Sequence, residues 1–186
     1  MTKGKAAMQH EQVLLSAKVF RVVQGVQTGA DGRRHPRQII RHPGAAVVLP
    51  VLEDGRVVLI RNYRIAVEET LVELPAGTLD PGEEPVETAR RELAEETGYR
   101  ARGMELLAAF YSSPGILDER MHLFLATGLA PGEPDLQGGE QIEMLVVPWR
   151  EAMEMVRNGA IRDAKTVAGL LYYDVFVRGA SAALQD

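Results

Sequence analysis

Residues 77–99 read GTLDPGEEPVETARRELAEETGY. Within this stretch the turn-forming Leu79-Asp80-Pro81-Gly82 gives way to Val86, Ala89, Leu93 and Thr97, which recur at helical spacing. Pro85 suits a first helical turn, where its missing N–H has no partner to lose, and Gly98 suits the position just past a helix end. The spacing predicts a helix over residues 85–97. On it Glu92, Glu95 and Glu96 share one face, since residues three and four apart are neighbours. At about 100° per residue that acidic face lies beside the Val86/Ala89/Leu93 face, not opposite it. The acids therefore stand at the edge of the core, where a cleft can form.

Carboxylates this close repel one another, and one of them keeps its proton near neutrality unless something positive sits among them. Hard divalent cations meet that need, because oxygen ligands suit Mg²⁺ or Mn²⁺. Such a site also screens a phosphate from an attacking oxygen and lowers the pKa of a bound water. An isolated Glu-Glu pair on a surface helix is usually just a solvated face. Here the wider spacing decides.

Gly77, Glu83, Arg91, Glu92, Leu93, Glu95, Glu96, Gly98 and Tyr99 stand, without a gap, at the positions of the Nudix box. The segment resembles that box closely, and a chance match has a probability on the order of 10⁻⁹ to 10⁻¹⁰ per start site. The resemblance implies an α/β fold, the Nudix-type α/β/α sandwich with a mixed sheet, plus a small N-terminal β-strand region. It implies Mg²⁺ (Mn²⁺ as an alternative) held by Glu92 and Glu96, with Glu95 as a ligand or water contact and the Ala76 carbonyl as a further ligand. Arg91 would orient the glutamates by charge-assisted hydrogen bonds, with Glu83 as its partner. Gly77 and Gly98 read as backbone necessities.

Outside the box, Pro114 follows Tyr99 by fifteen residues, and the stretches 73–77 (ELPAG) and 161–166 (IRDAKT) are similar to the ADP-ribose pyrophosphatase branch. The resemblance spans residues 37–175. It implies hydrolysis of ADP-ribose to AMP and ribose 5-phosphate. GDP-mannose or UDP-glucose is the alternative substrate, and a non-catalytic nucleotide sensor the alternative of another class. Arg37 and Arg64 become candidate contacts to the diphosphate or the terminal ribose, and Ser113 and Glu119 would line the ribose end. Catalytic roles fall to Glu95, to Arg91 and to a general base on a late loop. Glu140, in Gly138-Gly-Glu-Gln-Ile142, is that base, with Glu143 as the second choice. A homodimer formed through the N-terminal strands is also implied.

The remainder of the chain reads as strands with a few helices. β-Branched residues mark Ala17–Gln27 as extended, after a loose polar start over residues 1–12, and Arg37–Arg41 resumes the pattern. The runs Ala45–Leu52 and Val57–Ile60 flank Asp54-Gly55, a hairpin signal. Strands follow at 69–74, 105–111, 120–126 and 142–148, and helices at 149–157 and 163–177. Residues 131–141 read as a loop. Two regions result, N-terminal strands over 1–42 and a hydrolase domain over 43–180.

Of the 186 residues 46% are hydrophobic and 25% charged, as in an ordinary globular domain. A net charge of −5 offers no general attraction for nucleic acid or an anionic membrane, so an anionic nucleotide has to be recruited locally. There are no cysteines, hence no disulfides or thiolate metal sites. Neither a signal peptide nor an apolar stretch of membrane-spanning length is apparent, and the expected location is cytoplasmic.

Overall fold

The computed structural model describes residues 8–136, 138 and 141–179. They form two compact units, one comprising the chain up to Gly44 with Tyr111–Arg120, the other Ala45–Phe110 with Met121 onward.

The first unit is built on an antiparallel sheet of β1 (Gln9–Ser16), β2 (Arg21–Thr28) and β3 (Arg34–Arg41), in that order. The polar segment Gln9–Gln12, expected to be loose, is therefore strand, and Ala17–Phe20 is a turn. Every residue of β1 is exposed, so no apolar period could announce it. Its stability comes from backbone pairing with β2, which side-chain patterning does not reveal. Residues 1–7 lie outside the described residues.

The second unit contains β4 (Ala45–Pro50), β5 (Arg56–Arg64), β6 (Glu69–Glu73), β7 (Ala76–Thr78), the helix α1 (Pro85–Thr97), β8 (Arg100–Tyr111) up to Phe110, β9 (Arg120–Ala130) from Met121, β10 (Ile142–Pro148) and helices α2 (Trp149–Arg157) and α3 (Ala164–Tyr173). One sheet has the order β7-β4-β9-β8 and is mixed, because β4 pairs parallel with β9 and antiparallel with β7. The other, β10-β5-β6, is antiparallel.

Strand β4 shows how the layers arise. Ala46 and Val48 pack with Ala89 and Leu93 of α1 and with Phe124 and Ala126. The alternate residues, Ala45, Val47 and Leu49, join the cluster holding Trp149 and Ala152 of α2 and Leu170 of α3. Successive strand residues point to opposite faces, so a strand buried on both sides carries one helical layer on each. This is the α/β/α arrangement. Burying a single leucine such as Leu93 contributes about 1.5–3 kcal/mol.

The Asp54-Gly55 turn forms, with Gly55 donating to Leu52, but its flanks do not pair as neighbours beyond one bridge at Val51–Val57. β4 and β5 diverge into different sheets. β4 is buried throughout and β5 over Val57–Ile60, and β4 finds its partners in β7 and β9. The expected last helix likewise ends as α-helix at Tyr173 and continues as a π-helical turn, Asp174–Arg178. Among the described residues no helix is long and apolar enough to cross a membrane.

Candidate active site

Helix α1 begins with Pro85 at its first positions and ends at Gly98, whose φ of 75° is the left-handed conformation that lets the terminal N–H reach back to Ala94. Between these stops lie the acids. Glu92 and Glu96, 8% and 5% exposed, are among the buried residues of the helix.

Arg91 organises the acids around itself. Its Nε donates to Glu83 Oε1 at 3.1 Å and its Nη2 to Glu83 Oε2 at 3.0 Å. Its Nη1 reaches Glu92 Oε1 at 2.6 Å and Glu95 Oε2 at 3.4 Å. One guanidinium thus serves three carboxylates, those of Glu83, Glu92 and Glu95. Glu83 is further held by Thr88 Oγ1 at 2.8 Å and by the Asp80 N–H at 3.2 Å. Glu96 Oε2 accepts the Ala76 N–H at 2.9 Å, which ties the helix to the start of β7.

Gly77 has a role that its backbone alone does not explain. It is not among the residues of positive φ. A Cβ built on it would overlap the carboxyl group of Glu92, so the missing side chain is the space that carboxylate occupies. The expectation of a purely backbone requirement is corrected here. Gly98 does answer to it: beyond its φ, a Cβ there would overlap the Gly132 carbonyl.

The hydrogen bonds from Arg91 come first among the causes that hold Glu83 down from its ordinary carboxyl value to about 2, ahead of those from Thr88 and the Asp80 N–H, with burial opposing. A carboxyl whose pKa falls on folding contributes stability above its unfolded value and loses it as pH drops toward the folded one. The parent is therefore expected to exceed Glu83→Gln in thermal stability above about pH 5, and to lose that margin progressively toward about pH 2. Melting curves of both proteins across this range check it; a margin constant with pH would contradict it.

Among the described residues no three His, Asp or Glu side chains converge in metal-holding geometry. Glu92 and Glu95 turn to Arg91, and Glu96 to the Ala76 N–H. The donor set nevertheless fits a hard cation. Its atoms are all carboxylate or carbonyl oxygens, and the Gly77 cradle keeps the Glu92 carboxylate in place at the strand end beside them.

Of the remaining candidates, Arg64 is forked onto Glu73 at 2.8 and 2.7 Å. In the first unit, Arg37 is exposed and its Nε donates to Gln27 at 3.1 Å. Glu119 accepts from Ser112 Oγ at 2.7 Å and lies 3.5 Å from His42 Nδ1. Ser113 is exposed, and its carbonyl accepts the N–H groups of Ile116 and Leu117. Pro114 lines a cavity of about 200 Å³ with Ile39, Tyr111, Ile116, Leu117 and Asp118, and neither Ser113 nor Glu119 lines it. Glu140 lies outside the described residues. Glu143 is exposed on β10, opposite Arg61 of β5.

Sequence reasoning gave no role to Thr88, Asp163 or Lys165. Thr88 had a signal, its place in the first helical turn after Glu83. The contact of Lys165 with Glu73 spans 92 residues and has none.

A model of the NUDIX domain matches residues 40–170. The chain belongs to the Nudix family. It is 39% identical over 164 residues to the ADP-ribose pyrophosphatase of Bacillus subtilis, covering 87% of this chain and 88% of that protein. It is 43% identical over 164 residues to the GDP-mannose pyrophosphatase of Cronobacter sakazakii, covering 82% and 84% respectively. A solved structure described as an ADP compounds hydrolase superposes with a TM-score of 0.81 at 22% identity, over 94% of this chain and 95% of that one, and so shares the fold. The protein is a Nudix hydrolase, of a family that generally uses divalent metal ions.

Proposed function

We propose that this Nudix hydrolase splits the diphosphate of ADP-ribose into AMP and ribose 5-phosphate, using Mg²⁺ or Mn²⁺. The observation that carries the chemistry is the pair of buried carboxylates, Glu92 and Glu96, held on one helix face by Arg91 and the Ala76 N–H. Similarity to the Bacillus subtilis ADP-ribose pyrophosphatase over 87% of the chain supports the substrate.

Glu92, Glu96, Glu95 and the Ala76 carbonyl would hold the cation, which when bound neutralises diphosphate charge and supplies an acidified water. Arg91 orients Glu92 and Glu95 before substrate arrives. Glu140 takes a proton from the attacking water, with Glu143 as the alternative. Arg37, Arg64, Ser113 and Glu119 contact the substrate.

The 43% identity to a GDP-mannose pyrophosphatase favours a second reading, the same bond cleaved in a nucleotide sugar. A panel of ADP-ribose, GDP-mannose and UDP-glucose, each with Mg²⁺ and with Mn²⁺, decides by kcat/KM. ADP-ribose is expected to rank first and to give AMP with ribose 5-phosphate. A higher kcat/KM for GDP-mannose would replace the first reading by the second.

The protein is further read as a homodimer. Val13, Leu14, Leu15, Val19 and Phe20 of the β1–β2 hairpin are exposed apolar side chains that a second copy would cover. Light scattering behind size exclusion should return twice the chain mass of 20.4 kDa; a single-chain mass sinks this reading.

A further inference from the structure

The stretches ELPAG (73–77) and IRDAKT (161–166) give the acidic cluster of α1 nothing beyond Ala76 and Gly77, yet they meet in the folded protein. Glu73 is 1% exposed. Its Oε1 accepts from Arg64 Nε at 2.8 Å, and its Oε2 from Arg64 Nη2 at 2.7 Å and from Lys165 Nζ. The Lys165 side chain, 10% exposed, also lies 3.0 Å from Asp163 Oδ1. Asp163 caps α3 by accepting the Thr166 N–H at 2.9 Å and its hydroxyl at 2.6 Å, and Thr166 Oγ1 accepts the Leu74 N–H at 2.7 Å. A continuous set of charged and polar contacts therefore joins the start of α3 to Glu73 and Leu74, two residues before the Ala76 N–H that holds Glu96.

Packing alone gives little reason for this network. Desolvating four charges is costly, and apolar residues of the same volume often do as well or better. What the network does is fix one guanidinium. Two of the three nitrogens of Arg64 are forked on Glu73, while its side chain stays 41% exposed. Nη1 has no hydrogen-bond partner among the described residues. The charge of Glu96 adds to that of Glu73 in raising the Arg64 pKa against its burial, behind the Glu73 hydrogen bonds, so the guanidinium lies within the field of the acidic cluster.

We propose that Glu73 is a positioning residue which, with its second charge partner Lys165, presets Arg64 so that Nη1 faces outward as a ready donor to a phosphate oxygen of the substrate. An arginine already frozen loses little side-chain freedom on binding an anion. The inference rests on the diphosphate reading of the site given above. Its signature is weaker substrate binding, with the chemical step largely preserved.

The test uses Glu73→Gln and Arg64→Lys in the full chain, with three readouts. These are KM and kcat for ADP-ribose with Mg²⁺, the Kd of ADP by calorimetry, and the affinity of the substrate-free protein for Mn²⁺. Both variants are expected to raise KM and the ADP Kd roughly tenfold while kcat changes less than about threefold. Mn²⁺ affinity stays at the parent value. Arg64→Lys retains a cation against Glu73 but not the fork, so a merely structural role would leave KM and Kd within about twofold and overturn the proposal. A fall in Mn²⁺ affinity in step with kcat would overturn it too, because Glu73 would then act through the carboxylates. Should Glu73→Gln fail to fold, Glu73→Asp replaces it: the charge stays but the shorter side chain draws the carboxylate back from Arg64, and the same rise in KM and ADP Kd is expected, parental values overturning the proposal. A parent that binds ADP but does not hydrolyse ADP-ribose defeats the substrate reading and leaves the Kd comparison to judge Glu73; a parent that does not bind ADP defeats both.

Discussion

Glu96→Gln is expected to lower kcat by about 10²–10³-fold while leaving the protein folded. Glu96 is 5% exposed, and its Oε2 accepts the Ala76 N–H at 2.9 Å. Glutamine has the same shape and still offers an oxygen to that N–H, so the tie between α1 and β7 survives. Only the negative charge goes. Because Glu92, Glu95 and Glu96 crowd one helix face, losing one charge relieves repulsion, and Tm is expected to hold or rise. Stability and activity thus move apart, as they do when a group is kept for chemistry. Steady-state kinetics with ADP-ribose and Mg²⁺, beside a melting curve, make the measurement. A kcat within threefold of the parent would remove Glu96 from the reaction.

Gly77→Ala should do comparable damage by steric means, with kcat falling on the order of a hundredfold. The backbone at Gly77 has no positive φ, so alanine is tolerated there as far as conformation goes. The obstacle is the Glu92 carboxyl group, which fills the space the new methyl would take. Glu92 must swing away, and its bond to Arg91 Nη1, 2.6 Å long, is lost or stretched. The helix and strand that carry the two residues are otherwise intact, and the expected loss of Tm is a few degrees. The same assays check it, and the substrate-free Mn²⁺ affinity should fall together with kcat. A variant with parental kcat would show that the position of the Glu92 carboxylate is immaterial to turnover.

Both predictions turn on contacts that the chain announces unequally. The α1 helix was legible to the residue, 85–97, because its apolar period, its proline and its glycine are all local signals. Which acids share a face follows from the same period. The ligand roles rest on resemblance, and the general base at Glu140 rests on it entirely. The Gly77–Glu92 fit was not legible, since a glycine in sequence does not say whether it is needed for a dihedral angle or for a neighbour's volume. The Arg64–Glu73–Lys165 network was not legible either. Its members stand in motifs that can be read, but nothing local pairs a β6 glutamate with a lysine 92 residues later.

The amino-acid sequence by itself determined the helix, the set of acids on its edge, the family and the layered α/β/α class. The helix and its acids are written in short-range spacing, where hydrogen bonding and side-chain direction repeat every few residues, whereas the α/β/α class came with the family that the box resembles. Only the tertiary structure decided that β4 and β5 part into different sheets, that β1 exists, that Arg91 serves three carboxylates and that α3 reaches back to Glu73. Those outcomes depend on which distant backbone edges and charges find one another when the core closes, and the free energy of such pairings belongs to the packed assembly, not to any segment of the chain.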